Sequence, residues 1–489
     1  MVVATRSEDI MYICRNCLRS AGVFAIAFFL TASFVFSLPV ESSEIRFIFF
    51  FIGDGMGYPQ VKATESYLES RGDSLVMTLF PVHGEVTTHS LDSGATDSAA
   101  AATALATGYK ASSGVLSMNP ESGETYKTVA QFARDSGMRV GILTTVAIND
   151  ATPAAFYSHQ PSRLLRYQIG LDLVRSEFDL FAGWGMASRR GTDGESPDIL
   201  EIAHKTGYHV VREIGKLSSA NQHGKKVLAL LPIPFAIDRG KEEVSLVRLT
   251  EEAVDFLTNP GGFFLMVEGG KIDWACHTND PGSTVFEMRA FDEAVAVAAA
   301  FSEQYPEETL IVVTGDHETG GMSLHKGFSP STVSLLDAQK VSYERFLTLF
   351  ESESPSTLEE VLGFVSRTHG FVLDDHDHPL FLEPADRDAL QKALVLLKTG
   401  DQGEIRKRFA GYHPVMVTAN HILSLKAGIS WNHHGHGADP VPVYARGAKA
   451  ELFGKALDNT DIAKLFFHIL GSPRDLSAWY EHIPECEIE

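Results

Sequence analysis

The apolar positions of this chain come in short unbroken runs rather than in strict alternation. Phe47 to Ile52 (FIFFFI) contains no polar residue, the pattern of a strand covered on both faces in a parallel sheet. Phe263 to Val267 (FFLMV) and Leu310 to Thr314 (LIVVT) repeat it, Val140 to Thr145 (VGILTT) reads as another such strand, and Val441 to Ala445 is the closing one. Between them the spacing turns helical. Ala99 to Thr107 is an alanine-rich helix closed by Gly108, with Asp97 at its N-cap and Ser98 in its first turn. Thr125 to Gly137 and Phe286 to Phe301 predict two further helices, the second following a loop that carries Asp273, and Thr460 to Leu470 predicts the last. Residues from about 160 to 260 alternate helical and short apolar segments, as βα units do. The fold class this predicts is α/β, a three-layer α/β/α sandwich with a mostly parallel central sheet. From about 326 to 425 the character changes to acidic helical segments such as Leu358 to Val365 and Asp386 to Leu397, a helical insertion packed over or beside the site.

The N-terminus follows another pattern. Ala21 to Val40 is apolar, preceded by Arg15 and Arg19 and followed by Glu41-Ser42-Ser43, the plan of a secretory signal over residues 1–41, with Met11 as an alternative start and Ser37 or Ser42 as cleavage points. The run also has the length of a bilayer span, so an uncleaved N-terminal anchor is the competing expectation. Cleavage predicts a periplasmic or secreted protein without stable membrane insertion, and leaves 42–489 as one domain. Cys14 and Cys17 would depart with the signal, and Cys276 and Cys486 show no pairing pattern, so no structural disulfide is expected.

Of 489 residues, 44% are hydrophobic, ample for a core, and the formal net charge is −22. Such an acidic surface argues against nucleic-acid partners. For a site that acts on anions, it also demands local cations.

Ligands of open α/β sheets bind beyond the carboxyl ends of the strands. Three of the apolar runs end there in acids: Asp54 in GDGMG, Glu268 and Asp273 in EGGKID, and Asp316 beside His317 in GDHETGG. A fourth exit carries Asp150 and Thr152 in NDATP. Any one of these reads as a tight turn with a solvated acid, and any one histidine as a hydrogen-bonded structural group. Together they are too costly to bury unless divalent metal neutralises them. Asp273 and His277, four apart, with His436 make a plausible zinc site with an open position. Asp54, Asp316 and His317 can hold a second zinc, and the oxygen donors Asp54, Thr152 and Glu268 suit a harder ion, Mg²⁺. Two cations roughly 3.5–4 Å apart form the clamp of in-line phosphoryl displacement. Ser98, at a helix N-terminus that favours an anion, is then the candidate nucleophile and metal ligand. Arg163 is the candidate fork for two phosphate oxygens, against the plainer reading of a surface arginine.

Asp54 in IGDGMG, Asp97-Ser98-Ala99 in TDSAAAATALATGYK, Asp150 and Thr152 in NDATPA, Glu268, Asp273 and His277 in EGGKIDWACH, Asp316-His317 in TGDHETGG and His436 in HGHGADPVPVYARG together resemble the alkaline phosphatase family, over about Ile45 to Gly471. The resemblance implies a metal-dependent phosphomonoesterase of broad range and alkaline optimum. It implies Ser98 as nucleophile, Arg163 as phosphate clamp, two zinc ions and one magnesium on the ligands above, phosphate monoesters and inorganic phosphate as partners, and a homodimer. Asp97, Asp150 and Trp274 fall just outside the ligands. Trp274 stands where some members carry Lys or His near the phosphate, and Asp150 fits members that keep magnesium at the third site through water. His434 is the alternative to His436, and Cys276 has no assigned role beyond a buried thiol. The competing functions are a superfamily phosphodiesterase or sulfatase, the latter without its C/S-x-P-x-R signature here, and an exported metal- or phosphate-binding protein with no turnover.

Overall fold

The computed structural model describes residues 45–472 except 193–194, 218–225 and 242. The signal segment and Cys14, Cys17 and Cys486 lie outside the described residues. No helix among the described residues is long and apolar enough to cross a membrane.

Among the described residues the centre is a ten-stranded sheet. In chain order its strands are β1 (Phe47–Gly53), β2 (Val82–Thr87), β3 (Arg139–Thr144), β4 (Leu180–Gly183), β5 (Tyr208–Val211), β6 (Lys226–Leu230), β7 (Phe263–Glu268) and β8 (Thr309–Gly315). A separate antiparallel ribbon of β9 (Met322–Leu324) and β10 (Ile429–Trp431) comes next, before β11 (Val441–Gly447) and β12 (Ala456–Asp458) complete the sheet. The spatial order is β12-β2-β11-β8-β1-β7-β3-β4-β6-β5, parallel throughout except for β11, which runs against both its neighbours.

The unbroken apolar runs are explained by the two cores. On β1, Phe47, Phe49 and Phe51 pack into one core with helices Leu246–Leu257 and Pro281–Gln304, while Ile48, Phe50 and Ile52 pack into the other with helices Ser98–Thr107, Val129–Asp135 and Asn459–Ile469. A strand with helices on both faces has no solvent side on which to place polar residues. The α/β fold with a large, mostly parallel sheet flanked by helices is therefore the one expected.

Several elements differ from expectation in detail. The helix expected over Thr125–Gly137 runs only over Val129–Asp135, because Thr128 and Gln131 form a reciprocal capping box that fixes its start and Gly137, at φ +90°, ends it. Asp273 lies on a helix, Lys271–His277, rather than on a loop. The following helix starts at Pro281, capped by Asp280, several residues before Phe286. β2 (VHGEVT) was not anticipated, since its half-exposed positions give a weak apolar signal. It pairs with β11 and β12 at the sheet edge. Between β9 and β10 lie helices Tyr343–Glu353, Leu358–His369, Pro384–Thr399 and Pro414–Lys426.

Candidate metal centre and nucleophile

Strand register sets the site. Gly53 of β1 pairs with Gly315 of β8, and Ile52 pairs with Glu268 of β7, which in turn pairs with Thr144 of β3. Asp54, Glu268 and Asp316 therefore leave three neighbouring strands, β1, β7 and β8, at one level. Gly55, at φ +78°, lets the chain close over them. A Cβ there would lie 2.9 Å from Asp273 Cα and 3.0 Å from Thr319 Oγ1, and the Gly55 N–H donates to Asp316 Oδ1 at 3.0 Å.

His436 arrives from far along the chain because residues 318–320 and 432–437 pair like strands. The Gly320 N–H donates to the Gly435 carbonyl, the Gly437 N–H donates to the Glu318 carbonyl, and Thr319 and His436 form a β-bridge. This lays the His436 ring on His317, with centroids 3.8 Å apart.

Two groups of ligand atoms result. Asp54, Asp316 and His317 lie within bonding reach of one ion, and Asp273, His317 and His436 form a second such group. His277 belongs beside the second: its Nε2 is 3.2 Å from Asp273 Oδ2 and 3.2 Å from His436 Nε2. His317 Nε2 is 3.2 Å from Asp316 Oδ2 and 3.5 Å from Asp54 Oδ1. Thr152 Oγ1 lies 3.5 Å from the other oxygen of Asp54, so Asp54 faces both Thr152 and His317.

All these acids are buried, and their charges oppose one another. Burial pushes Glu268 up to about 8 and Asp316 to about 7, and raises Asp54 well above the carboxylate range, with Asp316, Asp273 and Glu268 adding to the effect. Asp273 is the exception. Burial would raise it, but His277, His436 and His317 hold it below its ordinary value. Asp54 Oδ1, Glu268 Oε1 and Asp316 Oδ2 accept no hydrogen bond. Buried, unsatisfied carboxylate oxygens at the ends of three adjacent strands are the donors of a metal centre, and the residues present fit divalent ions.

Second partners aim the imidazoles. Nδ1 of His277 donates to the His434 carbonyl at 2.6 Å and Nδ1 of His436 to the Thr96 carbonyl at 2.8 Å, while Nδ1 of His317 meets Thr319 Oγ1 at 3.2 Å. Thr319 Oγ1 also donates to Asp273 Oδ1 at 2.6 Å. Each ring thereby offers Nε2 to the centre. The His434 side chain stays outside both groups, since its Nδ1 is bound to the His277 carbonyl.

Ser98 is the first residue of its helix, Asp97 its N-cap and Gly108 its left-handed stop. Its hydroxyl is 3.2 Å from His317 Nε2. Asp97 accepts from the Ala100 and Gly114 N–H groups and, at 3.1 Å, from Arg163. Arg163 reaches across to Asp150, also at 3.1 Å, so two carboxylates hold its guanidinium and leave N–H donors over for an anion. Arg166 joins Asp150 at 3.0 Å. Asp150 anchors two arginines, and burial notwithstanding, Arg166 and Arg163 hold its carboxyl below the ordinary range. Asp150, Arg163 and Arg166 line a cleft of about 430 Å³ together with Asp273, His277, Trp274 and, from the segment between β9 and β10, Tyr343 and Tyr412.

Arg166, Thr144 and Thr319 were not among the sequence candidates. Arg166 stands three residues after Arg163 in SRLLR, and Thr319 stands two after His317, the only signals of their proximity. Thr144 donates to Glu268 from the end of β3. Cys276 is a buried thiol near Thr284 and Gln60.

The alkaline phosphatase family model matches residues 45–472. Alkaline phosphatase 3 of Bacillus subtilis is 30% identical over 447 residues, covering 88% of this chain and 90% of its own. The crystal structure of a cold-active alkaline phosphatase from Shewanella sp. superposes with a TM-score of 0.72 at 28% identity, over 87% of this chain and 99% of that one. The alkaline phosphatase of Thermus thermophilus gives 0.74 at 26% identity, over 88% and 92%.

Proposed function

We propose that this chain, which belongs to the alkaline phosphatase family and is accordingly a phosphomonoesterase hydrolase, works through a phosphoserine on Ser98. The observation that carries the reading is the Ser98 hydroxyl 3.2 Å from His317 Nε2, at a helix N-terminus beside a held Arg163. Asp273, His277 and His436 would hold one zinc, Asp54, Asp316 and His317 with Ser98 another, and Asp54, Thr152 and Glu268 a magnesium, which together supply Lewis-acid activation and screening of negative charge.

Arg163 receives two non-bridging oxygens of the substrate phosphate and turns its phosphorus toward Ser98. The serine oxygen forms the new P–O bond, its proton passes to water, and the ester P–O bond breaks, the leaving oxygen taking a proton from water to give the alcohol. Water then adds to the phosphoserine from the face the alcohol has left, and the P–O bond to Ser98 breaks to return the hydroxyl and inorganic phosphate. Asp97 and Asp150 keep Arg163 in register throughout, and the N–H groups of the helix start face the incoming anion.

The rest of the reading is an exported homodimer: a leader over 1–41 removed on the way to the periplasm or the exterior, and one phosphatase domain over 42–489 whose 326–425 insertion lines the cleft through Tyr343 and Tyr412. The test is turnover of 4-nitrophenyl phosphate against bis(4-nitrophenyl) phosphate, with metal analysis of the purified protein. Preference for the monoester, lost in Ser98→Ala, supports the proposal. A Ser98→Ala variant with full activity removes the nucleophile.

A further inference from the structure

The C-terminal edge of the sheet does not end at the acidic centre. Beyond β3 the next strands are β4 and β6, and past their ends lies a groove of about 760 Å³. Its chemistry is the reverse of its neighbour's. Arg189, Arg190 and Arg212 line it, with Trp184 and the β6 exit residues Leu230 and Pro232. On a chain of net charge −22 this concentration of guanidinium groups is unusual. Asp198 takes Arg189 at 2.9 Å and Arg190 at 3.6 Å, and Arg190 makes a longer contact with Glu201 at 3.9 Å. Arg212 is exposed and makes no ion pair among the described residues.

The groove is built onto the catalytic cleft. Asn149, next to Asp150, donates to the Ala187 carbonyl at 2.8 Å and the Arg166 carbonyl at 3.0 Å and accepts from the Ala187 N–H at 2.9 Å, so the segment after β4 moves with the arginine clamp. The wall between cleft and groove is a pair of rings: Trp274 lines the cleft, Trp184 lines the groove, and they meet edge to face at 6.0 Å. The buried Lys271 ammonium lies 5.5 Å from the Trp184 ring and 5.9 Å from the Trp274 ring, and holds both. Trp184 is nonetheless 42% exposed. A large indole fixed from behind and open in front is a stacking platform that has already lost its conformational freedom.

We propose that this groove is a leaving-group subsite for phosphate monoesters whose leaving group carries a flat ring and a second phosphate, such as a nucleoside bisphosphate. Trp184 takes the ring, and Arg212 with Arg190 takes the second phosphate. The inference rests on the phosphomonoesterase reading above and adds to it the class of substrate.

The test compares kcat/KM for adenosine 3′,5′-bisphosphate, adenosine 5′-monophosphate and 4-nitrophenyl phosphate in wild type, Trp184→Ala and Arg212→Ala, each expressed as a ratio to 4-nitrophenyl phosphate within the same preparation so that partial misfolding cancels. Trp184→Ala is expected to lower the ratio for both nucleotides about tenfold, the loss of one base stacked on an aromatic ring. Arg212→Ala is expected to lower it about tenfold for the bisphosphate alone, through one charge-assisted contact. Ratios unchanged by both substitutions would overturn this inference and leave the phosphomonoesterase reading standing. Absence of 4-nitrophenyl phosphate turnover in the metal-loaded wild type would overturn both.

Discussion

The Nε2 atoms of His277 and His436 face each other across 3.2 Å while their Nδ1 atoms are both bound to backbone carbonyls. A carbonyl accepts only, so each Nδ1 carries a proton and, in the neutral ring, each Nε2 presents a lone pair. Two lone pairs at that distance repel unless a proton or a metal lies between or beside them. Burial alone would lower His277, but Asp273 at its side raises it to about 9, which marks how strongly this point attracts positive charge.

Metal removal should therefore make stability depend on pH. In the apo-protein, burial raises Asp316 to about 7 and Glu268 to about 8, above their unfolded values. The fold is then most stable with these groups protonated, and that stability is lost as pH rises through 7 and 8. The raised His277 acts in the same direction, its contribution fading toward pH 9. Bound cations neutralise the acids and remove the dependence. Thermal unfolding of chelated and metal-reconstituted protein at pH 6 and pH 8.5 should show a gap of several degrees that widens at the higher pH. An equal gap at both would contradict this account.

Asp150 should act on substrate binding through the arginines it holds. Asp150→Ala frees Arg163 and Arg166 from a shared anchor at 3.1 and 3.0 Å and leaves two cations side by side. With the Arg163 fork held by Asp97 alone, KM for 4-nitrophenyl phosphate and Ki for inorganic phosphate are expected to rise together, on the order of tenfold, with a smaller change in kcat. A fall in kcat at constant KM, with loss of bound magnesium, would instead make Asp150 a partner of the metal.

The parts of the molecule visible in the sequence were those in which one residue type has one physical use. Phe47 to Ile52 could only be a doubly covered strand, and Asp97 with Gly108 bounded the Ser98 helix because a carboxylate caps and a glycine takes the left-handed stop. What stayed hidden depends on partners distant in sequence. Asp150 between two arginines, Thr319 holding both Asp273 and His317, and the bridge that lays His436 on His317 leave no local periodicity. β2, with alternate positions open to solvent and Gly84 in its middle, resembles a loop until β11 and β12 pair with it.

Gly55 should be irreplaceable for a reason of geometry rather than chemistry. Its φ of +78° is strained for any other residue, and an alanine methyl would sit 2.9 Å from the Asp273 backbone. Gly55→Ala is expected to cost roughly 1–3 kcal/mol in strain and to displace Asp273, so the purified variant should bind about one zinc fewer per chain while circular dichroism still reports the fold. Full metal content in a stable Gly55→Ala protein would show that the loop gives way more easily than this contact implies.

The helix Pro414–Lys426 should govern how tightly the metal proposed at Asp273, His277 and His436 is kept, although it supplies no ligand. His421 Nε2 bonds Asn279 Oδ1 at 2.9 Å, and the Asn279 amide donates at 3.0 Å to the carbonyls of both Cys276 and His433. Asn420 donates to the Thr278 carbonyl at 3.1 Å and bonds His369 Nε2 at 3.0 Å. The turn after His277 and the stretch leading to His436 are thus tied to one asparagine, which the helix holds. Without His421, Asn279 loses the partner that fixes its side chain, so its tie to the His433 carbonyl weakens, the paired contacts of His277 and His434 carry more of the connection, and the relative position of the two ligand segments loosens. Ligands held less rigidly lose metal faster, and outer partners of ligands are typically worth 10- to 100-fold in affinity. His421→Ala should accordingly speed transfer of that metal to a chelator by about tenfold, with little change in thermal stability of the loaded protein. Burial pushes His421 down to about 4, so it is neutral from pH 6 upward and the effect should be the same at pH 6.5 and 8.5. Zinc release as slow as in wild type would show that the bridge between Thr319 and His436 suffices on its own.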